Sequence, residues 1–195
     1  YEARYDHPMP VDVWNIHVQI LREKGPFEGC GDCWGAGVPV GLDVREGRLY
    51  ELVDCAGPGI FRQLVVEFRQ WMKDKGFQDK PLIISEYGVL QPSTYIAPDQ
   101  QEATGDQLVI TFMRESFDFL LDAKDPNLGY PADEYRLVQQ WLWFSLNAPV
   151  NGHLFSSEDP TEISMFGSTF RDYMHVLLGL PRVVLPAITN GCHSN

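Results

Sequence analysis

The order of patterned segments predicts an α/β fold built on a parallel sheet. Three observations carry this expectation. Short apolar or alternating runs, with the character of strands, occur at residues 11–17, 81–87 and 141–146. Amphipathic stretches with helical spacing follow each of them. Strict β-α-β-α-β-α alternation of this kind requires parallel strands joined by right-handed crossovers.

The first strand, Val11-Asp-Val-Trp-Asn-Ile-His17, alternates apolar and polar residues and is rich in β-branched and aromatic side chains. A loop of about 40 residues follows, dense in Gly, Pro and Cys. Loops of that length usually have a functional role. Between Ile60 and Lys75 the period lengthens. Phe61, Leu64, Val65, Phe68, Trp71 and Met72 recur at helical spacing with charged residues between them, and Gly76 supplies a stop. Pro81-Leu-Ile-Ile-Ser-Glu-Tyr87 is a continuous apolar run ended by Gly88, the pattern of a strand buried on both faces.

Asp106 is placed to cap a second helix reaching about Ala123. Trp141-Leu-Trp-Phe-Ser-Leu146 predicts a third strand, entered from a short helical turn at 134–139. A last amphipathic helix is expected over about 164–178, and residues 181–195 are expected to leave the domain as a tail or linker. Three strands make too narrow a sheet to cover these helices. A (β/α)8 TIM barrel has eight. The expectation is therefore the C-terminal part of such a barrel, about strands 6–8 with their helices, over residues 1–180. A chain that starts at Tyr1 with no leader pattern is expected to begin inside a longer protein.

Composition narrows the partners. The formal net charge is −12, from 15 basic and 27 acidic residues, and it is not gathered into a tail. Such a domain repels phosphate backbones and anionic lipid, so neither nucleic acid nor membrane is expected. No apolar run reaches the roughly 18 residues that cross a bilayer. Cys30-Gly-Asp-Cys33 has CxxC spacing but no second pair completes a zinc site. A disulfide, free thiols and a metal all stay open for it. Gly35-Ala-Gly37 opens no helix, and no GxSxG elbow occurs, so nucleotide and serine-hydrolase sites are discarded.

In βα folds, function collects where strands end. Here the strand ends carry Asn15 and His17, then Glu86 and Tyr87, then Ser145 and Asn147. Glu86 follows an apolar run directly, which would hold a carboxylate at the rim, half shielded from water. Ordinary ion pairing is the competing role for it. His17 is read as a hydrogen-bonding group, since no partner His stands at metal-ligand spacing. Trp34, Trp141 and Trp143 offer flat rings with a polar edge, suited to sugar faces. Core packing competes for Trp14 and for one of Trp141 and Trp143.

Pro81-Leu-Ile-Ile-Ser-Glu-Tyr-Gly88 resembles the seventh-strand signature of clan A glycoside hydrolases. Trp141–Leu146 resembles the eighth strand of that clan and Val11–His17 the sixth. The likeness spans about residues 10–178, and its character is that of secreted bacterial barrels. The short Leu-Pro tail after Arg182 points the same way, to an extracellular protein. The resemblance implies retaining hydrolysis of glycosidic bonds in an oligo- or polysaccharide, without cofactor or metal. It makes Glu86 the nucleophile, with Asn15, His17, Trp34, Tyr87, Trp141 and Trp143 binding substrate. The clan's acid/base Glu belongs to an Asn-Glu pair on the fourth strand, and no Asn-Glu occurs in this sequence. This chain alone is then expected to be inactive. Two other readings are a non-catalytic carbohydrate-binding barrel and a small α/β domain that binds a protein partner.

Overall fold

A computed structural model describes residues 2–7, 9–24, 44 and 46–179 of the chain. Trp34, the Cys30/Cys33 pair and the 181–195 tail lie outside the described residues. Helices α1 (Glu2–Tyr5), α2 (Pro58–Asp74), α3 (Ser93–Ile96), α4 (Glu102–Asp122) and α5 (Met165–Leu177) interleave with strands β1 (Trp14–Val18), β2 (Leu82–Tyr87) and β3 (Gln140–Trp143).

The strands form one parallel sheet in the order β1-β2-β3. Each strand lies beside its predecessor, and α2 touches α4, which touches α5. The long helices therefore layer one face of the sheet. The mixed α/β expectation holds, with parallel pairing as the alternation requires.

The helix-side core is densest between α2, β2 and α4. Phe61 and Val65 of α2, Leu82 and Ile84 of β2, and Phe112 and Met113 of α4 are fully buried. Trp14 packs edge-on against Trp71, Phe77 and Phe68, which fixes the face of β1 that looks at α2. Among the described residues, the opposite face of the sheet is the more exposed one. Asn15, His17 and Leu142 are exposed there, and even Ile83 of the central strand is only partly buried. Beside β3, an apolar cavity of about 670 Å³ opens between the strand, α4 and α5, lined by Phe117, Trp141, Trp143, Phe170 and Tyr173 among others.

Arg69 of α2 locks the sheet's N-terminal end. It is fully buried, and its guanidinium donates to the carbonyls of Leu137 and Lys80 and to Gln139 Oε1. Gln139 Oε1 also accepts the Leu82 N–H at 2.8 Å. One side chain thus ties a helix to the entrances of two strands. Burial lowers the Arg69 pKa to about 10, which still leaves it protonated at neutral pH.

Several boundaries differ from the sequence expectation. α4 starts at Glu102, one turn early, so Asp106 sits inside the helix, where its carboxylate takes a bond from Ser93 rather than capping. Residues 134–139 are not helical. A 3-10 turn spans Pro131–Asp133, and Glu134 and Tyr135 both have positive φ. β3 ends at Trp143, so Ser145 and Leu146 belong to the following loop. Gly76, at φ 79°, does end α2, and Ser164 caps α5 by accepting the Gly167 N–H.

Arg69→Met keeps an apolar stem and removes the guanidinium donors. It takes the Arg69 donor from the Leu137 and Lys80 carbonyls, at about 1–3 kcal/mol for each buried group, while Gln139 Oε1 keeps the Leu82 N–H. A loss of at least about 2 kcal/mol is expected, read as a lower midpoint in urea denaturation. A midpoint unchanged from the parent chain would remove Arg69 from this role.

Candidate active site

Parallel strands place their C-terminal ends together, and here those ends bring His17 beside Glu86. The two residues are register partners across β1 and β2, so their side chains rise from neighbouring strands on one face. His17 Nδ1 lies 3.5 Å from Glu86 Oε2. That is long for a hydrogen bond but within ion-pair reach. Side-chain exposures of 54% and 39% leave both groups open to solvent and to a ligand. Asn15, two residues earlier on β1, is exposed on the same face one layer below, opposite Ile83.

Glu86 reaches that face through an irregularity. Strict alternation would send Leu82, Ile84 and Glu86 the same way. The pairing of β2 with β3 shifts between Ile84 and Tyr87, and that with β1 shifts between Ile16 and His17. Tyr87 thereby joins Leu82 and Ile84 in the buried core, and Glu86 turns to the open side.

This geometry corrects three substrate-binding expectations. Tyr87 is fully buried against Phe61 and Trp143, and burial raises its phenol pKa well above the ordinary range. Trp143 is also a core residue. Its ring packs on Tyr87 and Phe117, and its Nε1 donates to the Gly152 carbonyl at 2.7 Å. Trp141 stands two residues before Trp143, on the same helix-facing side, and lines the apolar cavity. All three lie across the sheet from Glu86.

Phe144 is the aromatic residue that the sequence reading passed over. It follows Trp143, so alternation turns it away from the helix-side core. Its N–H donates to the Tyr87 carbonyl at 2.8 Å, which holds it beside the chain that leaves Glu86. Gly88 makes this approach possible. Its φ is 155°, and a Cβ there would stand 2.5 Å from the Phe144 oxygen. The signal for Phe144 was the period of two counted onward from the two tryptophans.

Other polar groups near the strand ends are committed elsewhere. Ser145 Oγ accepts the Ala148 N–H in a turn, and His153 Nδ1 lies 2.7 Å from the Val150 carbonyl. Cys55 is a buried free thiol whose pKa burial, and then Asp54, push up to about 12. It is therefore inert as a nucleophile at neutral pH. No three His, Cys, Asp or Glu among the described residues are grouped to hold a metal. No helix among them is long and apolar enough to cross a membrane.

The role of Trp143 generates a direct expectation. Trp143→Phe deletes the bond to Gly152 and part of the ring's volume, and should cost about 1–3 kcal/mol in a thermal melt. No change in stability would mean that this indole is not a core anchor. Comparison with protein-family models, with curated proteins and with solved structures finds no match for this chain.

Proposed function

We propose that these residues form the last three βα units of a (β/α)8-barrel glycoside hydrolase, with Glu86 as the nucleophile of a retaining mechanism. One observation carries the reading: Glu86 and His17 meet at the C-terminal ends of parallel strands, on the sheet face that is the more exposed among the described residues. In a closed barrel that face is the interior, and the strand ends are its mouth, where chemistry gathers.

In this reading Glu86 attacks the anomeric carbon and forms a glycosyl ester, while a second carboxylic acid protonates the departing oxygen. Water then attacks the ester, with that second group acting as base. The second carboxyl stands about 5–5.5 Å from the first in retaining enzymes. It comes from a barrel unit outside these three. His17 orients the Glu86 carboxylate and Asn15 takes a sugar hydroxyl. Phe144, rather than Trp141 or Trp143, supplies the ring under the sugar. The substrate is an oligo- or polysaccharide, and the protein works outside the cell.

The reaction's first half can be tested without the acid. An activated 2-deoxy-2-fluoro glycoside with a dinitrophenolate leaving group needs no proton to depart. Incubation with a panel of such sugars should add one fluoroglycosyl group to Glu86, located by peptide mass spectrometry. In the protein that carries both carboxyls, Glu86→Gln should lower turnover by orders of magnitude and leave oligosaccharide binding within about tenfold, or about 1.4 kcal/mol. Retained turnover in Glu86→Gln would end the catalytic assignment. A structural ion-pair role predicts the reverse ranking, with a lower melting temperature and intact turnover per folded molecule.

A further inference from the structure

Two loops leave the C-terminal end of the sheet next to each other: residues 88–101, which continue from the strand of Glu86, and residues 144–164 after the neighbouring β3. They are about 60 residues apart in sequence and are joined by one small polar cluster. Asn151 Nδ2 donates to the Gln91 carbonyl at 2.8 Å and to Ser93 Oγ at 3.1 Å. Ser93 Oγ in turn donates to Asp106 Oδ1 of α4 at 2.5 Å. Asn151 Oδ1 also lies 3.3 Å from Ser93 Oγ, but the single hydroxyl proton goes to the nearer, charged acceptor.

Both ends of this chain are seated in the core. Asn151 Oδ1 accepts the Gly152 N–H at 3.1 Å, and the Gly152 carbonyl holds Trp143 Nε1. Gly152 has φ 77°, and a Cβ there would stand 2.9 Å from the Trp143 ring. At the other end, Gly105 lies flush against Ser93, so closely that a Cβ would overlap the Ser93 carbonyl. Ser93 itself is buried. Its hydroxyl accepts from Asn151 and donates to Asp106, so it passes the link between the two loops on to α4.

We propose that Asn151, Ser93 and Asp106 form a clasp that fixes the separation of the two loops that follow β2 and β3, the first of them continuing from the strand of Glu86. They are positioning residues. The further step, that this separation sets which substrates reach Glu86, rests on the functional reading above.

The test is hydrogen exchange of the 195-residue chain read by mass spectrometry, comparing Asn151→Ala, Ser93→Ala and the double variant. Asn151→Ala should speed exchange at 88–95 and 147–153 together, by at least tenfold, with the strand amides unchanged. Ser93→Ala leaves the Asn151–Gln91 bond and should give the same paired loosening to a smaller degree. The double variant should be no faster than Asn151→Ala, which already breaks both bonds between the loops. Loosening confined to the mutated loop, or effects that multiply in the double variant, would overturn the clasp. If the alanine variants lose strand protection as well, Asp106→Asn keeps the shape and an acceptor oxygen. It should give the same paired loosening to a smaller degree, and its absence would count against the proposal.

Labelling of Glu86 by the fluoroglycoside is the second readout. Asn151→Ala should weaken the apparent binding constant for labelling and leave the limiting rate within about threefold. Paired loosening with no change in labelling would overturn the selectivity step. A parent chain that does not label at all would count against Glu86 as nucleophile, and the exchange data would still decide the clasp.

Discussion

A single buried guanidinium governs how this sheet is assembled. Arg69 reaches from α2 to the carbonyls of Leu137 and Lys80, and through Gln139 to the N–H of Leu82. These are the residues at which β2 and β3 begin. Strands started level by a shared anchor also end at heights set by their lengths and bulges. The positions of Glu86 and Phe144 at the far end are thus fixed in part at the near end. Neutral acceptors surround the charge, with Asp133 the carboxylate that favours it. Removing the cation would leave buried carbonyls bare, which is costlier than the bonds themselves are strong.

The helix side of the sheet shows why the fold was legible from the chain. Apolar runs such as Leu82-Ile83-Ile84 have few other places to go, and the spacing of Phe61, Val65 and Met72 selects a single helix face, all buried as expected. Glu86 was legible for the same reason, as the first charge after a buried run. Tyr87 and Trp143 were not. Their assignment to substrate assumed that strand-end aromatics look into the cleft. The register shift after Ile84 carries Tyr87 into the core instead. Such a shift leaves no mark in a single sequence. Asp106 was misread for a related reason. It has the chemistry of a cap, but its partner, Ser93, lies 13 residues back on a turn that folds against α4.

Surface electrostatics contribute less than their number suggests. Arg62 on α2 meets Glu115 on α4 at 2.8 Å, but both side chains are more than 40% exposed. Pairs of that kind are worth at most about 1 kcal/mol. The contact between these helices rests on Phe61 and Phe112, whose rings meet edge to face at 5.6 Å.

The two sheet faces are finished unequally. Each strand is followed by its own helix and packs its apolar side chains towards the helices, while the more exposed face carries the polar groups Asn15, His17 and Glu86. The two faces can therefore change independently. Substitutions among Asn15, His17 and Glu86 would disturb neither the Arg69 anchor nor the aromatic layer under α2 and α4.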